Sequence, residues 1–297
     1  MCEKVDVLTE EFTQKQLDYI ANIEFIREYS GHLSCLDEIV PNFNSEDLDV
    51  FVLGKPKNWR DDIKNHPEII YHLLKEGIER LYIPNISGFT GVVCEAYQFD
   101  HHSNIGNLKI YNHAQTEGLV IPKKSATLLC TADCPTIIYH DFSNDILIVA
   151  HAGLGSVIDR KKALTGSPSR FHESVIDDIM KHTEETDNYE ILIVGGIRPD
   201  HFRYSVNNAV YGNHNYKFLT YLLNDYGSCS VPFGIDHGGI SVQGIIKKQL
   251  VDWYEIDPGK IRCDNIDTYS DPNLWSHVES VKKGGQDGRN GILVLHR

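Results

Sequence analysis

Between Arg80 and Gly153, strand-like segments crowd one after another. They are RLYIPN (80–85), GVVCEAYQF (91–99), NLKIYN (107–112), GLVIP (118–122), ATLLCTADCPTIIYH (126–140) and DILIVAHAG (145–153). Each is rich in β-branched and aromatic residues and is bounded by turn-forming residues. Further strands are expected at 48–54, 190–197 and 291–296. Helical apolar spacing occurs at 8–30 (Leu17, Ile20, Ile23, Ile26), 66–78, 168–183, 207–223 and 240–254. Consecutive strands with helices gathered before and after them imply an α+β layered domain rather than a regular βαβ series. The loop 140–145 is short enough to join two antiparallel neighbours. We draw one domain over 45–297 and an N-terminal helical extension over 1–44.

Composition narrows the function classes. The 297 residues carry 42 acidic and 28 basic side chains, a formal charge of −14. Such a surface repels phosphate backbones and argues against nucleic acid as a partner, while leaving room for one small anion in a locally positive pocket. The absence of an apolar run of membrane-spanning length argues against a membrane. The N-terminus also lacks the charged and apolar regions of a secretory signal. Seven cysteines at irregular spacings, with no CxxC pair, do not read as a disulfide framework and point to a reducing, cytoplasmic compartment.

The chemistry concentrates in TADCPTIIYHDFSNDILIVAHAG, read as strand, turn, strand. Cys134 stands near the start of the first strand and His151 at the end of the second, so antiparallel pairing makes them neighbours. A thiol beside an imidazole offers two chemistries: ligation of zinc, or a cysteine nucleophile activated by histidine. Cys130, four residues earlier, reads as a small buried hydrophobe. His101 and His102, just after a strand-like run, supply a third donor. With Cys134 and His151, either one makes a three-ligand set with an open position, as a catalytic zinc requires. Asp133, by strand alternation, points away from Cys134 and is read as holding a turn or a histidine. His113 is a further histidine downstream of the pair.

These segments resemble the YfiH or laccase-domain family, also called multicopper polyphenol oxidases and purine nucleoside phosphorylases. The family's tADClPvl strand and vaavHAGWrG segment stand here as TADCPTIIYH and IVAHAG. Its Q-x-H-G resembles Gln98 through His101, with one residue inserted and no glycine. Its GP-x-I…YeV segment resembles GGIRPDHFRYSV (195–206). Its C-terminal pattern resembles KKQLVDWYEIDPGKI followed by SDPNLWSHV…DGRNGILVL. The matches are collinear over about 90–297. The resemblance implies an α-β-β-α sandwich like the catalytic domain of cytotoxic necrotizing factor, with zinc on His101, Cys134 and His151. It also implies phosphorolysis of adenosine-, inosine- and guanosine-type purine nucleosides, with phosphate as co-substrate and adenosine deamination as a further activity. The metal-free counterpart is a Cys134–His151 deamidase; a binding protein that has lost the site is a third alternative. Copper oxidation is disfavoured, because no H-x-H pairs occur.

The departures from the family pattern fall on its cations. Leu154 and Gly155 replace the Trp and Arg of HAGWRG, and Ser276-His277-Val278-Glu279 replaces SyRR. Phosphate recognition, which favours bidentate arginine, must then use other groups. Arg289, in DGRNG, and Arg198 are the leading candidates, with Arg160, Lys161 and Arg203 behind them. FGIDHGGIS (233–241) reads as a loop with Ser241 as a helix N-cap. KKGGQDGRNG (282–291) lacks the Walker spacing and reads as a turn.

Overall fold

A computed structural model describes residues 47–86, 91–113, 115–167, 174–183 and 187–297. The extension 1–44, with its expected helix 8–30, and residues 168–173 of the expected helix 168–183 lie outside the described residues. Among the described residues, twelve strands form two six-stranded mixed sheets, giving the α+β class expected. The first sheet has the order β1 (Leu48–Leu53), β12 (Asn290–His296), β7 (Ser125–Thr131), β2 (Arg80–Pro84), β5 (Leu108–His113), β4 (Asp100–Ile105). The second runs β11 (Ile261–Cys263), β10 (Tyr189–Val194), β8 (Thr136–Asp141), β9 (Ile146–His151), β6 (Gly118–Ile121), β3 (Val93–Glu95).

Strand alternation decides which side chain serves which layer. Leu192 and Val194 of β10, Leu147 and Val149 of β9, and Ile292 and Val294 of β12 meet in one core between the sheets. Their neighbours Leu293 and Leu295 face outward onto helix α1 (Pro67–Lys75), against Ile69, Ile70 and Leu73. On the far side, Ile191 and Ile193 of β10 and Ile148 of β9 pack under three helices. These are α4 (Val175–Lys181), α5 (Gly212–Tyr226) and α7 (Val242–Tyr254). Each fully buried Leu or Ile contributes about 1.5–3 kcal/mol, so three such layers secure a fold without disulfides; the described cysteines form none with one another. Among the described residues no helix is long and apolar enough to cross a membrane.

The expected strands are present, with two differences. GVVCEAYQF is not one strand: β3 ends at Glu95, a 3-10 turn covers Ala96–Gln98, and β4 then joins the other sheet. ATLLCTADCPTIIYH is also broken, at Ala132–Pro135, where the chain leaves β7 of one sheet and enters β8 of the other. Pro135 lacks the N–H a ladder needs, and this crossing sets Cys134 at the common end of the two sheets. Further elements carry no sequence signal that we read: β4, the short β11, the short helices Leu154–Val157, Arg160–Thr165 and Gly234–His237 (the last within a segment expected to be a loop), and helix α8 (His277–Lys283).

Candidate active site

The hairpin β8–β9 is antiparallel with Thr136 opposite His151, so Cys134, two residues before Thr136, arrives beside His151 as expected. Gly153 reports how close they are. A Cβ built on it would lie 3.1 Å from Cys134 Sγ, 2.9 Å from His151 Cε1 and 3.3 Å from His151 Nε2. Thr131 closes the turn from below by donating its hydroxyl to the Cys134 carbonyl at 2.8 Å. Asp133 behaves as a turn anchor: its carboxylate accepts from the Thr268 hydroxyl at 2.8 Å and from the Val278 N–H at 2.7 Å. That second bond brings the Ser276–Glu279 segment against the Asp133-Cys134 turn.

Glu117 completes the centre. It is wholly buried, and its carboxylate accepts from His151 Nδ1 at 2.6 Å and from the Ser156 hydroxyl at 3.0 Å. The reason lies in β6. Gly118 pairs with Ala150, and a Cβ there would fall 2.5 Å from the Ala150 Cβ. Only glycine permits that approach, and it delivers Glu117 to the end of β9. Sequence reasoning missed Glu117, because a glutamate before a glycine between strands reads as a solvated loop charge. A carboxylate on Nδ1 fixes the imidazole so that Nε2 is the working nitrogen. Burial works to depress the His151 pKa. Cys134 and Glu117 overcome it, and the ring is raised to about 10.

The pair opens into a cavity of about 840 Å³, whose wall includes His101, His102, Trp59, Arg60, Phe202 and Arg289. Cys134, His151 and His101 therefore share one cavity. His101 stands exposed on edge strand β4, where a register shift falls between it and Ser103, and its Nε2 meets Asn104 Oδ1 at 2.9 Å. Among the described residues, the group of three potential ligands with donor atoms within 4.8 Å of one another is a different one, His140, Asp145 and His296.

Of the arginines, Arg289 reaches the cavity, with Nη1 on Asp287 Oδ1 at 2.7 Å and on the Gly288 carbonyl at 2.8 Å. Arg60, unremarked in the sequence, joins it. Arg198 lines a separate hollow with Asp267 and Ser270, its guanidinium on the Asn265 carbonyl. Arg160 and Arg203 bond Tyr204 and the His237 carbonyl; neither they nor Lys161 lines this cavity. Ser241 is the N-cap it was read as, accepting from the Gly244 N–H.

The sequence matches no family model and no curated protein. The fold does match solved structures. The YfiH protein of Bacillus licheniformis aligns over 82% of this chain and 85% of its own, at 14% identity and a TM-score of 0.55. This chain has the YfiH fold. A Neisseria meningitidis protein of DUF152 aligns over 85% of this chain and 95% of its own, at 14% identity and TM-score 0.54. YlmD from Geobacillus stearothermophilus aligns over 85% and 93%, at 13% identity and TM-score 0.54. With identities this low, the YfiH fold here is a divergent version.

Proposed function

We propose that this chain is an enzyme acting on purine-nucleoside-sized substrates in the cavity of its YfiH fold, with Cys134, His151 and His101 as the ligands of a zinc ion. The observation that carries this reading is the buried Glu117 holding His151 Nδ1 at 2.6 Å, next to Cys134. A carboxylate behind a histidine whose other nitrogen faces a thiol is the arrangement that outfits a metal ligand. Sulfur and imidazole donors suit zinc, and His101 is the third donor on the same wall. When bound, zinc would supply a Lewis acid and an acidified water.

The remaining steps belong to the protein. The volume matches that of small-ligand sites, typically about 300–1,000 Å³. Half-buried Phe202 gives apolar surface for a planar base, while Arg60 and Arg289 offer donors to phosphate oxygens. Glu117 keeps the His151 ring from turning. The Asp133 carboxylate, tied to Thr268 and Val278, keeps Cys134 at the cavity end. Phosphorolysis of a purine nucleoside is the reaction this set serves, with phosphate attacking C1′ as the base departs.

A second reading is favoured by the direct Cys134–His151 contact, since nucleophile, base and orienting carboxylate are already in line. In that reading Cys134 sulfur attacks an amide carbon and His151 Nε2 gives its proton to the departing nitrogen. Water then hydrolyses the thioester. Zinc analysis separates the two. The first reading requires one zinc per chain that is lost in Cys134→Ser, and nucleoside-plus-phosphate turnover that chelation abolishes. A chain with no Cys134-dependent zinc, inactivated by an alkylating agent at Cys134, overturns it in favour of the second.

A further inference from the structure

At the opposite end of the same hairpin lies a second constellation. Where Cys134 and His151 mark the open end of β8–β9, His140 and Asp145 flank its turn, about six residue pairs or roughly 20 Å away. His296 of β12 comes to them from the other sheet. His140 and His296 both fall on inter-sheet positions by alternation, in register with Ile138 and with Val294. Both are buried, at 1% and 0% exposure. Apolar residues fill such positions elsewhere in this core.

With a neutral His296 ring, the hydrogen bonding there does not close. His296 Nδ1 lies 2.8 Å from the Ile121 carbonyl, which only accepts, so Nδ1 carries the proton. In the neutral ring Nε2 is then a bare lone pair, and it faces Asp145 Oδ1, another acceptor, at 3.1 Å. His140 Nδ1 is buried with no hydrogen-bond partner among the described residues. One atom from each of the three residues lies within 4.8 Å of the others. The 3.1 Å edge between His296 and Asp145 is close to the ~3.3 Å ligand–ligand edge of a tetrahedron with bonds near 2.0–2.1 Å.

We infer that His140, Asp145 and His296 bind a divalent transition-metal ion of the zinc class, which ties the β8–β9 turn to β12 and so clamps the two sheets together. Two imidazoles and one carboxylate favour zinc, cobalt or nickel over calcium or magnesium. Asp145 is partly exposed, leaving room for water as a fourth ligand. Phe142, tilted against His140 with ring centroids 4.3 Å apart, shields one side. The Lys123 ammonium, 3.2 Å from Asp145 Oδ1, competes with the ion for that carboxylate. The site is independent of the Cys134 centre.

The test uses the full chain without a metal-binding tag, in the Cys134→Ser background so that the other centre is silent. Metal-free protein is titrated with Co²⁺ and with Zn²⁺ and followed by absorption, elemental analysis and Tm. One Co²⁺ per chain is expected, with d–d bands, no sulfur-to-metal charge-transfer band and a raised Tm. Asp145→Asn, at an exposed turn position, should weaken binding at least tenfold while folding normally. His140→Gln should abolish the Tm rise, and Lys123→Ala should tighten binding several-fold. No binding below millimolar metal overturns the inference, as does binding that Asp145→Asn leaves unchanged. An imidazolium–carboxylate pair at His296 and Asp145 would then be the resident arrangement, seen as a doubly protonated ring by NMR.

Discussion

Glu117 holds His151 twice: its carbonyl accepts the His151 backbone N–H at 2.7 Å and its carboxylate accepts Nδ1–H at 2.6 Å. The first bond continues the β6–β9 ladder, and the second turns that ladder's end into a chemical centre. Glu117→Gln keeps the shape and removes the charge. Burial alone would depress His151; Cys134 and Glu117 reverse this and raise it to about 10. A raised histidine stabilises the fold fully below its unfolded pKa near 6.5, and that contribution is lost as pH rises through about 10. The metal-free wild type should therefore lose stability between about pH 7 and pH 10. The variant should be less stable by about 1–3 kcal/mol at neutral pH and show a flatter profile above it. Denaturant melts across pH, with NMR titration of His151, check both.

Gly153 supplies a way to block the site at a modest cost to the fold. Its φ of −67° suits any residue, so an added methyl meets no backbone strain. That methyl would sit 2.9 Å from His151 Cε1 and 3.1 Å from Cys134 Sγ. Gly153→Ala should therefore lower stability by about 1–3 kcal/mol, the usual cost of overpacking. Alkylation of Cys134 and zinc retention should fall much further than that cost implies. Alkylation at the wild-type rate would mean that the thiol and ring do not work as a pair.

Two arginines share the cavity in different states. Arg289 is already paired with Asp287 and braced by the Gly288 carbonyl, whereas Arg60 is exposed beside Trp59. Hydrogen bonds to charged groups contribute about 1.5–3 kcal/mol. Arg60→Ala should then raise the phosphate KM by about ten- to a hundredfold and leave the fold intact. Arg289→Ala should do so too, but with a lower Tm, since Asp287 and its partner His277 lose their anchor. Steady-state phosphate titrations beside melts separate binding from support.

The centre was half legible in the sequence, and the reason is topological. Cys134 and His151 lie on one hairpin, so strand counting alone brings them together. Glu117 arrives through a separate strand whose approach depends on Gly118 lacking a side chain, and no motif announces that. The fold class follows from the crowding of strands. Their division between two sheets does not, because it turns on local breaks at Ala96–Gln98 and Ala132–Pro135. Arg198, read as a leading candidate for holding phosphate, follows Asp267 and Asn265 into another hollow. His140 and His296 drew no attention in sequence, since each is a lone histidine in an apolar strand and their meeting depends on how the sheets stack.

Cys130 and Cys134 differ by four residues and should differ sharply in reactivity. Cys130 belongs to β7, donates its thiol to the Trp59 carbonyl, and has its pKa pushed by burial up to about 12. At neutral pH almost none of it is thiolate, the form that reacts. Cys134 sits one turn further on, half-buried at the cavity, with His151 alongside. Brief treatment of the native, metal-free chain with iodoacetamide should modify Cys134 and leave Cys130 intact, as read by peptide mass spectrometry. Prior zinc loading should protect Cys134 if the sulfur is a ligand. In Glu117→Gln the modification should slow, because the imidazole no longer holds its place. Equal labelling of both thiols would show that the Cys134–His151 contact confers no activation, and the chemistry would have to be sought elsewhere in the cavity.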